Sequence, residues 1–131
     1  MSTKVLSASS QRKSAQIFNL LSVIAIILMP IFPLLLIWIA ASIVVYSANI
    51  YHPNLLVRRY TKYAGYRFYG FTGASLASML FSGVLVRVAG DALTLMASIW
   101  GLGILIVVPM GIWSLYKADR ERWKEMSIEE I

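Results

Sequence analysis

Residues 14 to 57 contain no Asp, Glu, Lys or Arg, a run of 44. A soluble domain has no surface to spare for such a stretch. Soluble chains carry about a quarter charged residues, whereas this chain of 131 has 14 per cent charged and 59 per cent hydrophobic residues. A bilayer can absorb the run. One crossing helix takes about 20 residues, so the run is too long for one helix and suits two. The break lies at Met29-Pro30-Ile31-Phe32-Pro33. Two prolines three apart remove two backbone donors and push the preceding residues out of the helical region. The pattern predicts a helical hairpin, with a first helix at about 12–29 and a second at about 34–51. The first is short for a full span. Either Arg12 and Lys13 snorkel back to the headgroups, or the hairpin is re-entrant. In both cases the chain returns to the side from which it started.

His52-Pro53-Asn54 closes the second helix. Residues 52–67 read as a polar, aromatic cytoplasmic loop, with the choice between a solvated loop and a short interfacial helix left open. A third span is predicted over 68–89, uncharged apart from Arg87 near its end. Gly90 supplies a helix stop and Asp91 an N-cap for the fourth span, 92–116. Pro109 should kink that span, with Gly111 nearby. The tail, 117–131, mixes both signs and is expected to continue the fourth helix by a turn or more. The expected fold is therefore an all-α membrane protein: a single polytopic domain with four transmembrane helices, the first two forming a Pro-broken helical hairpin.

The cations orient this arrangement. Eleven of the twelve Lys and Arg residues fall in three clusters, Lys4/Arg12/Lys13, Arg58/Arg59/Lys62/Arg67 and Lys117/Arg120/Arg122/Lys124. Four spans bring all three clusters to one side and leave only Arg87, beside Asp91, on the other. By the positive-inside rule both termini are then cytoplasmic, in a bacterial inner membrane or its equivalent. Reading 17–51 as one broken span would scatter the clusters across both sides. A cleaved signal peptide ending near Ala40-Ala41-Ser42 is disfavoured, because the apolar stretch is too long and carries two prolines. The net charge of +6 would suggest nucleic acid in a soluble protein. Here the cations flank apolar spans, so the expected partner is the bilayer with its anionic headgroups, not nucleic acid.

Little points to chemistry. There is no cysteine, which removes disulfides, thiolate ligands and a Cys nucleophile. No nucleophile elbow, phosphate-binding Gly-rich loop or HExxH motif occurs. His52 is the only histidine, too few for bis-histidine haem within one chain and without neighbouring zinc ligands. A quinone-headgroup contact or proton relay at His52 is the alternative to a plain helix-terminating role. No intramembrane acid marks an ion path. No enzymatic activity, cofactor or metal is expected.

Two features suggest contacts instead. On the third span Gly70, Ala74, Ser78 and Ser82 recur every four residues, with Gly73 and Ala77 beside them, and Ala97 and Gly101 offer a matching patch on the fourth. Small residues let helix backbones approach closely in lipid. Such rows serve either packing of the third span on the fourth or contact with another chain. The first and second spans lack them, and their Ile, Leu and Val faces read as lipid-facing or fitted to a partner. The second feature is the central loop. His52, Arg58, Arg59, Tyr60, Lys62, Tyr63, Tyr66 and Arg67 are read as a headgroup-contacting belt or a cytoplasmic docking platform. The expected role is a non-catalytic subunit or assembly factor of a larger membrane complex, partnered by other subunits or by itself. The alternative is a small homo-oligomeric pore, holin or transporter-like protein.

Overall fold

The computed structural model describes residues 2–130. Helices dominate: α1 (Ala8–Ile27), α2 (Phe32–Asn49), α3 (Leu55–Leu80), α4 (Ser82–Ala89), α5 (Ala92–Leu102) and α6 (Val108–Arg120), with a π-helical turn, Gly103–Val107, between the last two. Two short strands, β1 (Ser2–Leu6) and β2 (Met126–Glu130), pair antiparallel from Ser2 opposite Glu130 to Leu6 opposite Met126.

The ends of these elements follow from local chemistry. Ser7 caps α1, its hydroxyl accepting the Ser10 N–H, and Asn54 caps α3 by accepting the Leu56 N–H. The Pro-bearing break separates α1 from α2, with Pro33 in the first turn of α2, where a missing N–H costs nothing. Gly90 ends α4 at φ 106°, a backbone conformation open to glycine, and Asp91 then caps α5 by accepting the Thr94 N–H at 2.6 Å. Pro109 does not end its helix. The π turn just before it lets the Val108 N–H reach back to the Gly103 carbonyl, and the helix runs on from Ala92 to Arg120 over 29 residues.

α1 lies at the centre, against α2, α3 and α6. Its buried side chains include Gln11, Ala15, Phe18, Asn19, Ser22 and Ile26, spaced by three and four along one face. Phe18 is fully buried among the rings of Trp38, Tyr46, Phe68 and Tyr69, at centroid distances of 5.5 to 6.1 Å. Three glycines permit these approaches. A Cβ on Gly65 would strike the Tyr46 ring. One on Gly103 would stand 2.7 Å from Phe71 Cζ and 2.9 Å from Ile26 Cγ2, and one on Gly111 would strike Val23.

Hydrogen bonds give the directions. Trp38 Nε1 donates to Ser22 Oγ at 3.0 Å, so α2 folds back along α1. Asn54 reaches Gln11 and Arg67 reaches Asn19, so α3 runs parallel to α1. Gln16 donates to the Leu115 carbonyl and Asn19 to that of Gly111, so α6 runs antiparallel to α1. α1, α2, α3 and α6 thus alternate in direction, and the three basic clusters, apart from Arg67 deeper along α3, gather at the end of the bundle that carries the β1–β2 ribbon.

Several expectations change. The fold is not purely helical: α6 stops at Arg120, Glu121 turns extended, and the tail forms a strand instead of a continued helix. An isolated two-stranded ribbon is marginal. This one is tied down by fully buried Gln11, whose Nε2 donates to the carbonyls of Leu6 and Lys124. Residues 55–67 are neither a loop nor a separate interfacial helix, but the first half of α3, continuous to Leu80. The third span does not run straight to residue 89, because α4 leaves α3 at 92°. α1 and α2 each bury one face, with Phe18, Val23 and Ile26 on α1 and Leu35 and Trp38 on α2 in the core, and leave an apolar face open, with Ile17, Leu20 and Ile24 on α1 and Leu36, Ile37 and Val44 on α2 exposed. Two helices, α2 and the joined α5–α6, are long and apolar enough to cross a membrane, or three if the bent α3–α4 pair counts as one span. Such helices mark a membrane protein. α1 falls short of that standard, because Arg12 and Lys13 occupy its first turns and Gln11, Gln16 and Asn19 lie among its apolar residues.

Candidate functional site

The ribbon end of the bundle holds a cleft of about 450 Å³ between the first half of α3 and the length of α6. Helical spacing builds both walls. On α3, Arg59, Tyr63 and Arg67 follow one another at four-residue steps, about 6 Å apart along the axis. On α6, Pro109, Trp113 and Lys117 do the same, and Glu121 follows just beyond the helix end. The helices are antiparallel, so the charged rim pairs Arg59 and Lys117 while the far end pairs Arg67 with Pro109 and Met110.

The electrostatics are one-sided. Three cations, Arg59, Arg67 and Lys117, share the lining with one acid, Glu121, a formal balance of +2. Glu121 is already engaged, accepting the Tyr60 hydroxyl at 2.9 Å. Arg67 is half-buried. Its Nη2 makes one long bond, 3.3 Å, to Asn19 Oδ1, and its Nε is buried without a partner. A guanidinium carries five N–H donors, and withdrawing its charge from water is costly unless those donors and the charge are answered. Among the described residues no carboxylate answers Arg67.

The expected headgroup-contacting residues divide into three groups. Arg59, Tyr60, Tyr63 and Arg67 line the cleft. Lys62 and Tyr66 lie on a different face of α3, with the Lys62 ammonium 5.8 Å from the centre of the Tyr66 ring. His52 lies in the turn before α3 and Arg58 in the first turn of α3. There His52 Nδ1 accepts the Asn54 N–H at 3.0 Å, and Arg58 Nε donates to the His52 carbonyl. This places the proton of neutral His52 on Nε2. Burial, and then the charge of Arg58, holds its pKa below the usual histidine value.

The small residues are not brought together. Gly70, Gly73 and Gly101 have open space where a Cβ would stand, and Ala74, Ala77, Ser82 and Ala97 are exposed. Ser78 is half-exposed, its hydroxyl donating to the Ala74 carbonyl of its own helix. The last buried residue of α3 is Thr72, and neither α4 nor α5 buries any side chain. The close approaches inside the bundle fall at Gly65, Gly103 and Gly111. Gly103 stands beside Gly101 in the small patch of the fourth span and does meet α3, at Phe71, whereas Gly65 and Gly111 belong to no row of small residues.

The α6 wall carries no comparable sequence signal: Lys117 reads as tail charge, and Trp113 belongs to no motif. The four-residue spacing of Pro109, Trp113, Lys117 and Glu121 was visible, but not which helix they would face. Among the described residues no three His, Asp or Glu side chains are placed to hold a metal ion. No protein-family model matches this chain, and no curated protein or solved structure matches it either.

Proposed function

We propose that this chain is a multi-pass protein of the bacterial inner membrane or its equivalent, with both termini cytoplasmic. We further propose that it works as a non-catalytic subunit or assembly factor of a larger membrane complex. The observation that carries this reading is the bare arm beyond Thr72. The end of α3, all of α4 and all of α5 bury no side chain, and the Gly70/Gly73/Ala74/Ala77 face lies open. Lipid offers no hydrophobic drive for helix association, so close backbone contact through small residues is the usual substitute. An open small-residue face beside a 92° bend is what a chain seated against another helix would present. The gathering of three basic clusters at one end supports the orientation.

The competing reading, a homo-oligomeric pore, needs a polar stripe facing a lumen. The hydroxyls of Ser75, Ser78 and Ser98 donate to carbonyls of their own helices, and the amides of Gln11, Gln16 and Asn19 are spent inside the bundle. This favours the subunit reading. Purification of the full chain in a gentle detergent, followed by mass spectrometry of what accompanies it, decides between them. Distinct partners in fixed stoichiometry support the subunit. A homo-oligomer without other proteins rejects it.

A further inference from the structure

We propose that the α3–α6 cleft is a specific binding site for one phosphate-bearing amphiphile of net negative charge. Its anionic head would sit among Arg59, Arg67 and Lys117, and its apolar part along Met110 and Trp113. This goes beyond general attraction of a basic face to a membrane and does not depend on the subunit reading.

Three observations converge. The first is the charge pattern. The formal +2 of the lining already counts Glu121, and no further acid lines the cleft. The second is Arg67, set a full two turns below the rim at Arg59, half-buried, and bonded only by the long contact to neutral Asn19. Among the described residues no carboxylate answers it, and its Nε is buried without a partner. A phosphate matches it well, since a guanidinium can offer two parallel N–H donors to two oxygens. The third is the gradient along the cleft. The α6 wall passes from Lys117 through Trp113 to Met110 and Pro109, from charged to aromatic to apolar, opposite the α3 wall that carries Arg59 and Arg67. A free inorganic ion would have no use for the apolar stretch of the α6 wall, whereas an amphiphile would fill both walls. At about 450 Å³ the cleft takes a headgroup and the first part of a chain, and is too small for a whole lipid.

The experiment is a native mass-spectrometry titration of the full chain, stripped of lipid in detergent. Dioleoylphosphatidylglycerol is compared with dioleoylphosphatidylcholine, and inorganic phosphate serves as competitor. One phosphatidylglycerol should bind per chain about tenfold more tightly than phosphatidylcholine, and Arg59→Gln and Lys117→Gln should each weaken it about fivefold. Lys62→Gln, a cation on α3 outside the cleft, should leave it unchanged. Met110→Trp, which fills the apolar end, should weaken the lipid without altering the charge. Arg67→Gln should weaken it most. Should that variant fail to fold, the exposed Lys117→Gln carries the test alone. Phosphatidylglycerol that resists millimolar phosphate supports a lipid occupant. Displacement by phosphate, with the same loss in Lys117→Gln, supports the anion site with a soluble phosphate ester as its source. Equal binding of the two lipids, or a Lys62→Gln effect as large as that of Lys117→Gln, overturns the proposal.

Discussion

Asn19 and Gly111 meet where α1 crosses α6: the Asn19 side-chain amide donates to the Gly111 carbonyl at 2.9 Å, buried between the helices. The same side chain accepts from Arg67 on α3. One neutral amide thus joins three helices and is the only protein group bonded to the Arg67 guanidinium among the described residues. Asn19→Leu should destabilise the bundle by about 1–3 kcal/mol, since it removes the buried bond and leaves a half-buried cation with nothing. Detergent-denaturation midpoints measure this. An unchanged midpoint would mean that the three-helix junction is not a source of stability.

Gly111 and Gly101 make a matched pair for testing the packing. A Cβ at Gly111 would strike Val23, while one at Gly101 meets nothing within 4 Å. Gly111→Ala is expected to cost about 1–3 kcal/mol through overpacking. Gly101→Ala should be neutral or slightly stabilising, because alanine favours helix more than glycine does. The reverse order would contradict the placement of α6 against α1.

Ala74→Leu and Ser78→Leu probe the open face of α3. Neither side chain is enclosed by this chain, so the stability of the isolated protein should hardly change. Recovery of co-purifying proteins should fall in both variants. Loss of monomer stability instead would mean that α5 packs on this face. By contrast Leu35→Phe, on a core position of α2, should destabilise the monomer by about 1–3 kcal/mol.

The turn at His52 should make stability pH-dependent. Its Nδ1 must be unprotonated to accept the Asn54 N–H, and Asn54 in turn caps α3 and donates to Gln11. The folded-state pKa lies below the unfolded value of about 6.5. The unfolded chain therefore binds the proton first as pH falls. The contribution is complete above about pH 6.5 and is lost as pH drops through the lower, folded-state value. His52→Asn keeps an acceptor in place of Nδ1 but does not titrate. Thermal midpoints between pH 7.5 and 5 should fall more steeply for the parent than for this variant, and parallel curves would remove His52 from the account.

Orientation is tested by single cysteines in a chain that has none of its own. Val5, Lys62 and Glu125 are exposed sites at the ribbon end and should be labelled only from the cytoplasm. Phe32 and Gly90, both exposed, should react from outside. Position 61 is unsuitable because Thr61 is fully buried. Labelling of residue 62 from outside intact cells would reject the proposed topology.

The sequence by itself determined the class of molecule and the local punctuation. A charge-free run of 44 residues, the pair Pro30/Pro33, Gly90 and Asp91 act through composition and backbone chemistry, which need no knowledge of neighbours. The clustering of cations is likewise a linear property, and it anticipated that the three clusters would share one end. Only the tertiary structure decided which faces meet. On α1 the buried Phe18, Val23 and Ile26 are as apolar as the exposed Ile17, Leu20 and Ile24, and apolarity does not separate core from bilayer. Its glutamines and asparagine were the discriminating signal, since their amides have to find partners where water is absent. The cleft was legible by half. Arg59, Tyr63 and Arg67 stand out on α3, but Trp113 and Lys117 join them only because α6 returns antiparallel across fifty residues of chain. The β1–β2 ribbon was not legible at all, because its pairing joins segments at opposite ends of the sequence and depends on Gln11 to hold them together.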